Sequence, residues 1–168
     1  MTTRRYASET TVPPDRSRAE IERVLERYGA ARFLYGWEPG HALISFEMRG
    51  RRMRFVLPLP DESEFRFTPR LQLRSDGAWR EAHQQALRQR WRALALIIKA
   101  KLEAIESGIV TFEAEFLAQT VLPQDNQTVA DWLVPQIEEA YRSGRLPDLL
   151  PGASQRQTLY LPAPEETA

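Results

Sequence analysis

In this chain of 168 residues, the side chains whose grouping could do chemistry are mainly arginines. Arg49, Arg51, Arg52 and Arg54 fall within six positions, and Arg88, Arg92 and Lys99 recur at i, i+4 and i+11. Between these two groups, Phe65 and Phe67 flank Arg66. A guanidinium forks onto phosphate oxygens. A ring beside a cation is what an unstacked base requires. The pattern therefore points to nucleic acid, preferably a single strand, with phosphates on the arginines and Lys99 and bases on Phe65 or Phe67. Each group also has a plainer reading. The arginines at 49–54 can blunt a sheet against edge pairing. The arginines at 88 and 92 can pair with acidic C-terminal helices, and Phe65 and Phe67 can tuck their loop onto the core.

Other chemistry is poorly represented. The chain has no cysteine and two histidines, His41 and His83, which are not at metal-ligand spacing. There is no glycine-rich phosphate loop, dinucleotide fingerprint or nucleophile elbow. Neither Lys99 nor Lys101 has a carboxylate two places before it, as a common nuclease motif would need. Glu113 and Glu115 could face a cation, but acidic residues in a first helical turn need no metal to explain them. A protein without catalytic residues, metal or cofactor is expected.

Charge is distributed unevenly. The 23 basic and 23 acidic residues balance overall, yet residues 1–101 carry +8 and residues 102–168 carry −8. Of the bases, 21 are Arg, a bias that a high-GC genome also produces. A basic part facing a polyanion and an acidic part free for a protein partner is one reading of this split, and an adaptor or inhibitor docking on a charged protein is the alternative. Self-association is compatible with either. The longest apolar run, Ala93 to Ile98, is six residues, too short to cross a bilayer. No secretory h-region occurs in the first thirty residues, so the expected compartment is the cytoplasm.

The elements that must position these residues follow from periodicity. Ser17 and Glu20 form a capping-box pattern ahead of a helix over 18–28, whose stripe is Ile21, Val24, Leu25 and Tyr28. Three alternating segments follow. Trp37 opposite Ala42 and Phe46 opposite Met53 place Ala31, Phe33, Tyr35, Trp37, Ile44 and Phe55 on one face of an antiparallel meander, with Phe33 opposite Phe46. Arg32, Glu47 and Arg52 then share a row on the other face. Pro39-Gly40 is expected to sit in a loop four residues wide, and Arg49-Gly50 in a two-residue turn. Residues 61–78 read as a long loop. A helix from Trp79 to Glu106 carries Leu87, Trp91, Leu94, Ile98, Leu102 and Ile105 inward, with Arg88, Arg92 and Lys99 on its outer side. Thr111 caps a short helix to about Ala118. Thr128 opens another, kinked at Pro135 and stopped by Gly144.

The expected fold is α+β: an N-terminal helix, a three-stranded antiparallel β-meander packed on a long helix, then two shorter C-terminal helices. Residues 1–16 read as a flexible arm, 17–144 as one domain, and 145–168 as a Pro-rich extended tail. The segments TTVPPDRSRAEIERVLERYGA, RQRWRALALIIKAKLEAIESGI, TFEAEFLAQTVLP and IEEAYRSGRLPDLLP resemble an uncharacterised family encoded by bacteriophages and prophages of high-GC bacteria. The similarity spans about residues 8–152 and contains no catalytic signature. It implies a small phage-borne protein of the host-cell cytoplasm, from the replication or recombination set, and supplies no site residues.

Overall fold

A computed structural model describes residues 6, 7 and 9–145. Helix α1 (Pro14–Arg27) leads into strands β1 (Ala31–Glu38), β2 (His41–Met48) and β3 (Arg51–Pro58). A 3-10 turn (Glu62–Phe65) precedes the long helix α2 (Asp76–Glu106), and α3 (Phe112–Phe116) and α4 (Val129–Ser143) complete the order. The expected α+β architecture is the observed one. The chain divides into two compact units after Ala130, so α4 belongs almost wholly to the second.

The sheet is an antiparallel meander ordered β1-β2-β3. Phe46 faces Met53, Ile44 faces Phe55 and Trp37 faces Ala42, as the alternation requires. Arg49 and Gly50 both have positive φ, 52° and 73°, the two left-handed residues of the hairpin turn whose twist matches its strands. The first turn is narrower than expected. Glu38 pairs directly with His41, leaving only Pro39 and Gly40 between them, and Gly40 at φ 89° supplies the left-handed position that follows proline in a type II turn.

β1 also departs from simple alternation. Its register shifts between Ala31 and Leu34, with Ala31 opposite Glu47, and Arg32 has φ 54°. One extra residue on β1 makes a bulge there. Phe33 therefore lies within the bulge rather than squarely opposite Phe46, and Ala31 leaves the inner face. Phe33 still packs, half-buried, against the core.

That core joins the inner face of β2 and β3 to three helices. Ile44, Phe46, Met53 and Phe55 meet Ile21 and Leu25 of α1, Trp91, Leu94, Ile98 and Leu102 of α2, and Phe112 and Phe116 of α3. Phe116 stands edge-on to both Phe46 and Phe55, with ring centres 6.1 and 6.2 Å away. α2 is 31 residues long and begins at Asp76, not Trp79, because Ser75 accepts a hydrogen bond from the Ala78 amide. The expected long loop is shortened accordingly. Thr111 caps α3 through the Ala114 amide at 3.2 Å, as its position predicts. α4 runs unbroken through Pro135.

The start of α1 differs in kind. The helix begins at Pro14, with Pro13 as its cap and no side-chain cap bond. Proline at the first helical position has φ already set and lacks the amide hydrogen that would be orphaned there. Ser17 is thus an interior helical residue, fully buried, and its hydroxyl has no hydrogen-bond partner. The capping box does not form. Residues 14–16 are helix, and ahead of them Gln85 and Gln89 of α2 donate to the carbonyls of Thr10 and Tyr6 at 3.0 and 2.8 Å. The proposed Pro-rich tail lies outside the described residues beyond Arg145.

Two stability measurements check this packing. Phe46→Ala, which empties a site walled by three aromatic partners or sheet neighbours, should cost about 3–5 kcal/mol in denaturant unfolding. Ser17→Ala should leave stability unchanged or raise it by up to about 1 kcal/mol, because it removes a buried unsatisfied hydroxyl, whereas loss of a genuine cap would cost about 1 kcal/mol.

Candidate nucleic-acid interface

The β2–β3 hairpin gathers four of the candidate residues. Arg49 occupies the turn, and its guanidinium lies over the Phe112 ring, 5.1 Å from the centroid. Arg51 reaches Glu113 at 3.4 Å. Arg52 donates to the side-chain oxygen of Asn126 at 2.7 Å, and Arg54 to the main-chain oxygen of the same residue at 2.7 Å. One asparagine thus receives two arginines from the outer face of β3. Asn126 can do so because the chain between Val121 and Thr128 folds back on itself, with Leu122 donating to Gln127 at 2.7 Å, and because Asn126 takes φ 52°. Short polar side chains tolerate that left-handed conformation best.

The same segment seals the edge of β3. Thr120 bridges to Met53, and the Val121 amide donates to the Arg52 carbonyl at 2.8 Å. Between this segment and the hairpin lies an open cleft of about 550 Å³, lined by Glu47, Gly50, Arg51, Arg52 and residues 120–123. Asn126 escaped sequence reasoning, since nothing local links it to β3.

The expected ion row on the sheet forms in half. Arg32 reaches Glu47 at 3.1 Å, while Arg52, opposite Glu47 in register, turns to Asn126 instead. Glu113 and Glu115 are engaged by bases: Glu113 by Arg51, and Glu115 by Lys101, whose ammonium also donates to the Glu115 carbonyl. Basic and acidic parts of the chain do pair, but through Arg27 with Glu103, Arg51 with Glu113 and Lys101 with Glu115 rather than through Arg88 and Arg92.

Two of the three α2 candidates, Arg88 and Arg92, are not on an outer face. Arg92 is half-buried and pairs with Glu20 of α1, and Arg88 is half-buried with two donors on the Gln85 side-chain oxygen at 2.9 and 2.6 Å. The reason is that α1 and the residues before it cover that side of α2, through the same contacts that hold Tyr6 and Thr10. Lys99 is exposed.

Phe65, Arg66 and Phe67 lie elsewhere. Phe65 is half-buried, its ring 5.5 Å from that of His83 early in α2, so it tucks its loop onto the helix. Arg66 lies over the Trp79 ring at 5.6 Å. Phe67 is 51% exposed, in a bridge to Leu73. Nearby, the hydroxyl of Ser63 and then its amide hold the Asp61 carboxyl below its ordinary value, with a smaller contribution from His83. From His83 to Lys101, which marks the α3 end, α2 rises about 27 Å. The hairpin arginines and the Phe65–Phe67 group are therefore two places rather than one site. No protein-family model matches the chain, and no curated protein or solved structure shows detectable similarity to it.

Asn126 supplies a direct check on this geometry. Asn126→Ala should lower stability by about 1–2 kcal/mol, combining a left-handed backbone without glycine or asparagine with loss of a hydrogen bond to a charged group. Asn126→Gly keeps the backbone comfortable and should cost less; chemical unfolding of both variants gives the comparison.

Proposed function

We infer that this protein binds single-stranded nucleic acid through the β2–β3 hairpin end, as a binding protein with no catalysis of its own. The observation that carries the reading is how Arg49 and Arg52 are held. One rests on an aromatic ring and the other on a neutral amide oxygen, and among the described residues neither is paired with a carboxylate. Their charge stays available, with Arg52 lining an open cleft and Arg49 in the adjoining turn, while their orientation is already set. Each guanidinium has five N–H donors, so one bond to Asn126 leaves Arg52 able to grip phosphate. Arg51 joins them if a phosphate displaces Glu113, an exposed partner at 3.4 Å. Exposed pairs of this kind are weak, about 0–1 kcal/mol, and a polyanion competes well with them.

Phe67, by the start of α2, and Lys99, about 24 Å further along the helix than His83, offer separate contacts that one strand would meet only by running along α2. The resemblance to phage and prophage proteins supports a place in replication or recombination in the host-cell cytoplasm. A second reading, docking on a protein partner, draws on α4 and its exposed Trp132, Ile137 and Tyr141 beside acidic Glu138 and Glu139.

The test is fluorescence anisotropy of a labelled oligonucleotide over a range of salt. Wild type should bind with affinity falling log-linearly as salt rises, through counterion release. Replacing Arg49 and Arg52 together by Ala should weaken binding and lower the salt slope by about 0.7 per lost phosphate contact. Absence of binding at about 0.1 M salt, where the Debye length is about 10 Å, overturns the reading in favour of protein docking.

A further inference from the structure

The two edges of the sheet are treated differently. Residues Thr120 and Val121 close the β3 edge. Among the described residues, no strand or bridge pairs with the free edge of β1. An open edge is a template for a further strand, and proteins usually blunt one with proline, lysine or a bulge. β1 has such devices only at its ends: the bulge at Arg32–Phe33, and Pro39 just beyond Glu38. Between them the edge is regular and carries Leu34 at 63% and Trp37 at 72% exposure.

We propose that β1 pairs antiparallel with β1 of a second copy of this chain, about a two-fold axis at Tyr35. The sequence of the strand is complementary to itself in that register alone among those centred on it. Within the regular stretch Leu34 meets Gly36 of the second copy and Tyr35 meets Tyr35; at its ends Phe33 and Arg32, which belong to the bulge and are not held in a regular ladder, lie towards Trp37 and Glu38. The pairs are opposite charges, two aromatic rings, and an aliphatic side chain over a glycine. Gly36 has nothing within 4 Å of where a Cβ would be, so its face is free to take Leu34. Arg32 and Glu38 reach Glu47 and His41 within their own chain but remain 76% and 66% exposed, open to a partner across the axis. Tyr35 is held in place, its ring under the Arg18 guanidinium at 4.3 Å and beside Trp91 at 5.8 Å. Two three-stranded sheets then become one six-stranded sheet. A two-fold contact of this kind closes on itself and needs only one surface.

The register makes the test specific. Sedimentation equilibrium of the full chain should show a monomer–dimer equilibrium. Arg32→Glu alone and Glu38→Arg alone each place like charges opposite one another twice, and each should weaken the dimer by about tenfold. An equimolar mixture of these two variants restores opposite charges at both positions and should recover wild-type association, as should the chain carrying both substitutions. Trp37→Arg should also weaken the dimer, and amide exchange in Leu34–Trp37 should slow as protein concentration rises. A wild type that stays monomeric to about 100 µM overturns the proposal. So does a dimer indifferent to both charge reversals, or a mixture no better associated than its components.

Discussion

Phe116 is the contact on which most of the structure depends. Its ring meets Phe46 and Phe55 edge-on, in the geometry that aromatic quadrupoles favour, and touches Phe112 one turn earlier at 5.1 Å. α3 is only five residues long, too short to be stable as an isolated helix. It exists because two of those residues are buried phenylalanines, because Thr111 caps it, and because Lys101 holds Glu115 at 2.8 Å. Seating Phe116 against the sheet brings the following chain alongside β3. The seal of Thr120 and Val121 on the β3 edge, and the reach of Asn126 to Arg52 and Arg54, are consequences of that one placement.

The sheet is left asymmetric as a result. β3 is covered on its outer edge by its own chain, and its outward arginines are tied down by Asn126. β1 contributes no residue to the fully buried core, and its inner-face side chains grade from the half-buried Phe33 to the largely exposed Trp37. Only β2 is buried along most of its length. Strand burial thus falls off from the centre towards β1, where alternation is weakest and a bulge interrupts it. A bulge is tolerated at such a place because few packed neighbours resist the extra residue.

What was legible in the sequence, and what was not, divides along the same line. Period-two alternation on β2 and β3, the Arg49-Gly50 turn and the Leu94–Ile98–Leu102 stripe are local signals, and each specifies its geometry within a few residues. The start of α1 is hidden in the sequence because Pro13-Pro14 looks like a break, although proline is welcome in a first helical turn. Phe112 and Phe116 stand at i, i+4, a visible pairing, but a five-residue element offers too little periodicity to weigh. The candidate site was harder still. Arg52 and Asn126 are 74 positions apart, Arg92 and Glu20 are 72 apart, and no spacing rule connects such residues. The sequence could show that arginines cluster, but not which of them the fold would occupy.

That occupation is what sorts a charged surface into structural and available parts. A carboxylate partner cancels the charge it orients, as Glu20 does for the half-buried Arg92. A neutral partner orients without cancelling. Asn126 restrains Arg52 through one donor, and Phe112 restrains Arg49 through its ring face, where the attraction is to the quadrupole and the net charge survives. A long side chain held this way has less rotamer freedom left to lose when an anion arrives, so more of the contact energy appears as affinity. The overall balance of charge says nothing about this. Whether a guanidinium can act on a ligand depends on which neighbour holds it, and for Arg49 and Arg52 at the hairpin of this protein the neighbours are a ring and an amide.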